Sequence, residues 1–257
     1  MSHHATERVH GGPDGQGAAR WDFSVNSHPV GPCPLALAAV QQADATQYPD
    51  PAYTALRQAL ADFHEVAPLR VLLAASGSEA IARLSAWAAQ RGGGSAWWPG
   101  HAYGDYAHHA QAWGLQAVRE PAQAALCWLA EPSSPLGQAE PLAERVAQLG
   151  QTVVLDRAYE PLRLSGAPSL PPALLERVWQ LWTPNKALGL VGVRGAYAIA
   201  PLGAEAEVQA LERLAPSWPL GAHAVPCWPP GCGPIPNNGW PAACPPCAPG
   251  RPSKCTG

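Results

Sequence analysis

The sequence predicts an α/β fold: a mainly parallel sheet covered on both faces by helices, three layers α/β/α. Two observations carry this. Short runs that are apolar throughout recur at Val71–Leu73, Ser95–Trp98, Ala125–Leu129 and Thr152–Leu155, and more weakly at Val178–Trp182 and Ala196–Ile199. Helical stretches separate several of them, at about 77–90, 104–113, 140–149 and 204–213. A strand with no polar face is buried on both sides, as the strands of a parallel sheet are. The 257 residues are enough for one large domain, or one with part of a second.

Taken in order, residues 1–20 are polar and Gly-rich and predict a flexible arm. Trp21–Asn26 alternates and predicts a short strand, closed by the turn-rich His28-Pro29-Val30-Gly31-Pro32. A helix is expected over 34–43. Another opens after Tyr48-Pro49-Asp50-Pro51, with Leu56 and Leu60 on one face. Ser76 and Glu79 have capping-box spacing, which makes Ser76 the N-cap of the helix through Gln90.

From Pro226 to Gly257 the chain holds ten prolines, five glycines, five cysteines and two formal charges, without periodicity. Cys244-Pro245-Pro246-Cys247 has metal-site spacing. Its only partners, Cys227 and Cys232, are irregular, so no metal site is expected. We expect residues 225–257 to be a disordered or aberrant tail. The net charge of −3 leaves no basic footprint for nucleic acid. No apolar run reaches membrane-spanning length, and Met1-Ser2-His3-His4-Ala5 lacks the apolar core of a signal peptide, which together predict a cytoplasmic protein.

Ligands of such sheets lie at the carboxyl ends of strands. Ser76-Gly77-Ser78 follows one strand and starts a helix, either as a plain cap or as an anion cradle. Asp156 ends another strand, with Tyr159 three residues on. It either caps the next turn or pairs with a protonated ring nitrogen. Tyr103, after a third strand, is a core or surface aromatic or a stacking platform. Lys186 and Arg194 bracket a Gly-rich apolar connector. They are two solvated charges, or a desolvated nucleophilic amine beside a phosphate anchor.

The order of these motifs, cradle, aromatic, aspartate, lysine, arginine, is that of fold-type I pyridoxal-phosphate enzymes. The chain resembles the aminotransferase class I/II superfamily, in the branch shared by histidinol-phosphate aminotransferase and the cobalamin-pathway L-threonine-O-3-phosphate decarboxylase. Asp156-Arg157-Ala158-Tyr159 resembles the family's D-x-A-Y, and Asn185–Arg194 its S-K-x-x-G-L-A-G-L-R. Tyr48-Pro49-Asp50 resembles Y-P-D/E, and Tyr103-Gly104-Asp105-Tyr106 resembles Y-x-x-Y. His10-Gly11-Gly12 and Asp22–Pro32 resemble the cobalamin branch, with its H-G-G and D-F-S-x-N-x-x-P-x-G.

The resemblance covers roughly residues 10–224. It implies an N-terminal small-domain segment over 21–44 and a cofactor-binding large domain over 45–224. It also implies pyridoxal 5'-phosphate as cofactor and Lys186 as the catalytic residue that bonds its aldehyde and shuttles protons. Asp156 would hold the pyridine nitrogen, and Tyr159 with Ser134 the ring oxygen. Gly77, Ser78, Asn185 and Arg194 would bind the phosphate, joined by Tyr48 from a second subunit of a homodimer. Tyr103 would stack on the ring, with Tyr106 its rival, and Asn26 would contact a phosphorylated amino-acid substrate. The implied reaction is decarboxylation of L-threonine O-3-phosphate to (R)-1-aminopropan-2-yl phosphate in cobalamin biosynthesis. The alternatives are transamination of the histidinol-phosphate type, or an inactive remnant.

Two features depart from the pattern. Glu131-Pro132-Ser133-Ser134-Pro135-Leu136-Gly137 replaces N-P-N-N-P-x-G, so the shorter Ser134 stands for an asparagine, and Asn185 replaces a serine. The family's C-terminal small domain, with its carboxylate-binding arginine, has no counterpart after Val225, and a reading-frame shift near Pro226 is the expected origin.

Overall fold

The computed structural model describes residues 11–134 and 136–228. Seven strands form one sheet: β1 (Val71–Ala74), β2 (Ser95–Trp97), β3 (Gln116–Ala117), β4 (Leu126–Ala130), β5 (Thr152–Asp156), β6 (Trp179–Trp182) and β7 (Ala196–Ile199), in the order β1-β7-β6-β5-β4-β2-β3. β7 runs antiparallel to both neighbours, β1 and β6, and every other pairing is parallel. The predicted three-layer α/β architecture is therefore present, with one reversed strand inside it. That reversal places the start of β7 at the same sheet end as the finishes of β1, β4, β5 and β6.

Alternation along the strands divides the core. Leu72, Ala74, Leu126, Trp128, Val154, Leu181, Ala196 and Ala198 face one layer, packed by α3 (Gly77–Gln90), α4 (Gly104–Ala112) and α7 (Glu205–Glu212). Val71, Leu73, Tyr197 and Ile199 face the other, beneath α1 (Pro34–Gln41) and α2 (Thr54–His64). Cys127, Leu129, Val153 and Leu155 continue that face toward α5 (Ala143–Ala147). α3 starts as expected, with Ser76 Oγ accepting from the Glu79 amide at 3.1 Å. The Glu79 carboxylate accepts from the Ala75 amide, also at 3.1 Å, rather than from that of Ser76.

β1 is an edge strand, and two arginines cover its outward carbonyls. Arg57 of α2 donates to Val71 O and pairs with Glu212. Arg83 of α3 donates to Leu73 O at 2.7 Å and pairs with Glu79 at 2.7 Å. An edge satisfied in this way offers no template for another strand.

The sequence reading differs from the structure in a few places. Trp21–Asn26 is not a strand: Trp21 is 72% and Phe23 95% exposed, and the Ser24 amide donates to Asp22 Oδ1 at 2.8 Å. Asp and Ser satisfy the backbone locally there, which competes with strand pairing. The helix expected over 140–149 is confined to α5, and neither β3 nor α6 (Pro172–Leu175) was foreseen. Packed residues extend past Val225: Cys227 and Trp228 are buried against the α2 face, and Tyr53 Oη donates to Leu220 O at 2.8 Å. The rest of the expected tail, with Cys232 and Cys244–Cys247, and the first ten residues of the expected arm lie outside the described residues. Among the described residues no helix is long and apolar enough to cross a membrane.

Candidate active site

Six chain segments meet at one end of the sheet around a cleft of about 660 Å³, part of it open to solvent, with Tyr103 and Tyr106 from the segment after β2 among them. β1 leads into α3, β4 into Pro132 and Ser134, β5 into Asp156 and Tyr159, and β6 into Thr183 and Lys186. The reversed β7 begins just after Arg194 and Gly195. Nine of the eleven residues expected at the site line this cleft: Gly77, Ser78, Tyr103, Ser134, Asp156, Tyr159, Asn185, Lys186 and Arg194.

Lys186 sits on a turn that the N-terminal segment crosses. The His28 amide donates to Lys186 O at 3.0 Å, and the Cys33 amide to Leu188 O at 2.9 Å. The crossing is close because Gly189, at φ +65°, has no side chain; a Cβ there would lie 2.5 Å from Gly31 O. Lys186 Nζ donates to Thr183 Oγ1 at 3.1 Å and lies 5.4 Å from the centroid of the Tyr159 ring. Burial pulls the Lys186 amine below the usual lysine range; Asp156 opposes this, and Arg194 adds to it.

Asp156 is held at the opposite wall. Tyr106 Oη donates to Oδ2 at 2.8 Å, and the Ala158 amide to Oδ1 at 2.9 Å. Burial raises the carboxyl, while Lys186 and these two donors pull it back. Among the described residues no ion pair joins Asp156 to Lys186. Each charge thus keeps a binding direction into the cleft.

Tyr106 is buried and stacks on Trp128 at 4.8 Å with planes 6° apart, so its ring belongs to the core. Tyr103, 38% exposed, stands on the cleft lining. Burial raises the Tyr159 phenol, and the side chains of Asn26 and Ser134 act against that. Asn26 thus lies beside the Tyr159 hydroxyl although it is off the cleft lining.

At the third wall the α3 N-terminus opens on the cleft. The amides of Gly77 and Ser78 have no hydrogen-bond partner among the described residues. They point outward from the positive end of a 14-residue helix. A Cβ on Gly77 would lie 2.8 Å from Thr183 Cγ2, so glycine is what lets the helix end and the lysine turn approach. Arg194 donates to Val191 O at 3.1 Å and is otherwise exposed toward the cleft. Two unpartnered amides and a guanidinium fit a phosphate, a desolvated amine fits an aldehyde, and a buried carboxylate fits a protonated ring nitrogen.

Two expected ligands make further contacts of their own: Asn185 lines the cleft, and Tyr48 is expected to act from a second subunit. Asn185 spends its side-chain amide on Val191 O and Val193 O, both at 3.3 Å, and so braces the Arg194 loop. Tyr48 is 78% exposed and stacks on Trp218 at 4.4 Å, away from this chain's own cleft. Sequence reasoning missed Thr183 and Asp105. A threonine three residues before the lysine, and an acid in the first turn of a helix, both look ordinary in sequence.

No protein-family model matches the chain. It is similar to histidinol-phosphate aminotransferase 2 of Rhizobium meliloti, 32% identical over 79% of this chain and 63% of the relative. The protein of the same name from Burkholderia lata is 28% identical over 76% of this chain and 60% of the relative. The chain therefore spans about three fifths of the length of these curated relatives. Among solved structures, histidinol-phosphate aminotransferase from Sinorhizobium meliloti in complex with pyridoxal-5'-phosphate superposes with TM-score 0.66 at 24% identity. That match covers 79% of this chain and 61% of the other. L-threonine-O-3-phosphate decarboxylase from Porphyromonas gingivalis gives 0.68 at 17% identity, covering 80% and 66%. The chain thus has the fold of the pyridoxal-phosphate-dependent aminotransferase large domain, and in sequence it is similar to two histidinol-phosphate aminotransferases.

Proposed function

We propose that the cleft binds pyridoxal 5'-phosphate and that the protein uses it in an aminotransferase reaction of the histidinol-phosphate type. The observation that carries this reading is a desolvated lysine and a buried aspartate, unpaired with each other, facing one cleft with a phosphate cradle at its third wall. When bound, the cofactor supplies an electron sink for the substrate's Cα. The Gly77 and Ser78 amides and Arg194 anchor the phosphate. Asp156, kept in place by Tyr106 and Ala158, holds a proton on the pyridine nitrogen. Tyr159, with Ser134 and Asn26 at its hydroxyl, positions the ring oxygen. Lys186, whose amine burial inclines toward its uncharged form, would take a proton from the substrate's Cα and return it, and Thr183 Oγ1 marks its resting position.

The names of both curated relatives support transamination first. Decarboxylation of threonine phosphate remains as a second reading on one specific ground, the Asp22–Pro32 segment that resembles the cobalamin branch. A homodimer would account for Tyr48, which is exposed and lies away from this chain's own cleft.

The test is spectroscopic and then chemical. The protein with pyridoxal phosphate should show the visible band of lysine-bound cofactor, absent in Lys186→Ala. Histidinol phosphate with 2-oxoglutarate should then give glutamate. Carbon dioxide from threonine phosphate without 2-oxoglutarate would select the second reading. A band with neither turnover would leave a cofactor-binding chain without catalysis, and no band would end the cofactor assignment.

A further inference from the structure

Behind the α3 cradle lies a carboxylate that is not on the cleft wall. Asp105, 1% exposed, sits in the first turn of α4 and accepts a hydrogen bond from Ser78 Oγ. The Tyr103 hydroxyl stands 3.3 Å from the same oxygen. A serine hydroxyl has one proton, and an ionised carboxylate can only accept. The Ser78 proton therefore points at Asp105, and the lone pairs that remain face Tyr103 and the cleft. A phosphate brings only acceptor oxygens and charge of the same sign as Asp105. It gains nothing from Ser78 Oγ unless the hydroxyl turns, and turning takes a donor from a buried carboxylate.

We infer that Asp105 sets how tightly the cradle holds a phosphate, by keeping the Ser78 hydroxyl proton for itself. This rests on the reading of the α3 N-terminus as a phosphate cradle. Phosphate binding then falls to the Gly77 and Ser78 amides and Arg194, and Asp105 is a positioning residue acting through Ser78. An acid in the first turn of α4 also suits that helix's dipole. Such a role would affect every ligand alike, whereas control of the Ser78 proton affects only ligands that carry a phosphate.

The experiment titrates cofactor-free protein with pyridoxamine 5'-phosphate and with pyridoxamine, neither of which can bond to Lys186. The ratio of the two affinities isolates the phosphate. Ser78→Ala should change that ratio less than about twofold, because the lost hydroxyl was not donating to phosphate. Asp105→Asn should raise it about tenfold, since the new amide can donate to Ser78 Oγ and free its proton. The double variant should lose most of that gain. A loss of about tenfold in Ser78→Ala alone, or an unchanged ratio in folded Asp105→Asn, overturns the inference. Should Asp105→Asn fail to fold, the Ser78→Ala result decides by itself. Wild-type protein with no preference for the phosphorylated compound would instead sink the cradle reading.

Discussion

Two groups of buried charge lie within a few residues of each other in this chain, and they are wired in opposite ways. Below the cleft, Arg163 pairs with Glu131 at 3.0 Å and with Glu160 at 2.7 Å, and Glu131 also accepts from the Ser169 amide at 2.8 Å. Arg157 joins them through Glu160 at 3.5 Å, donates to Gln180 at 2.9 Å and lies 4.4 Å over the Trp182 ring. Each cation there meets a carboxylate directly. In the cleft, Lys186 donates to a threonine, and Asp156 accepts from a tyrosine and an amide. Burial works against the ionised form of both. The first arrangement ties the ends of β4 and β5 together. The second leaves charge unneutralised where a ligand can complete it, which is the signature of a binding site rather than a scaffold.

The contrast predicts opposite stabilities. Arg163→Met strands Glu131 without a counter-charge and leaves Glu160 only Arg157, and it should cost about 3–5 kcal/mol. Lys186→Met removes a desolvated cation that has no ion pair, and should leave stability within about 1 kcal/mol of wild type, or raise it. Denaturant unfolding of the cofactor-free proteins at neutral pH measures both. Equal losses in the two variants would dissolve the distinction.

His64 sharpens the same contrast, because it is perturbed without being at the site. Burial, helped by the Arg157 charge, takes its imidazole down to about 4, and Nε2 meets Tyr197 Oη at 2.9 Å across the α2 face. The folded protein thus resists protonation that the unfolded chain accepts near pH 6.5. The unfolded state binds more protons between those values, so His64's contribution is complete above about pH 6.5 and is lost as pH falls toward 4. The loss is at most about 3 kcal/mol. His64→Leu should flatten the difference in unfolding free energy between pH 7 and pH 4.5 relative to wild type. An unchanged slope would assign that pH dependence to carboxylates alone.

How much of this was legible in the sequence follows from the range over which each feature is determined. The strands β1, β4 and β5 were readable because burial on both faces leaves an unbroken apolar run. Asp156, Lys186 and Arg194 were readable because each follows or precedes a strand in a fixed order. The strand expected at Trp21–Asn26 failed because alternation is a local signal, and the Asp22 and Ser24 side chains there take up backbone amides in place of a ladder. Asp105 and Thr183 gain their roles only where α3 meets α4 and the lysine turn, contacts that no spacing along the chain encodes. Asn185 was assigned to phosphate by position, but its amide is committed to the carbonyls of Val191 and Val193.

The smallest expected effect tests where scaffold and site share one residue. Ser76 Oγ accepts the Glu79 amide and so takes up one of the four donors that the start of α3 leaves unmatched, while the amides of Gly77 and Ser78 stay open toward the cleft. Ser76→Ala should cost about 1 kcal/mol in unfolding free energy, the usual worth of such a cap. If the cap also fixes the direction of the two open amides, the affinity for pyridoxamine 5'-phosphate should fall with it, while that for pyridoxamine holds. A stability loss with unchanged phosphate affinity would mean that the cradle is shaped by the close contact of Gly77 with Thr183 instead, since that contact survives the substitution.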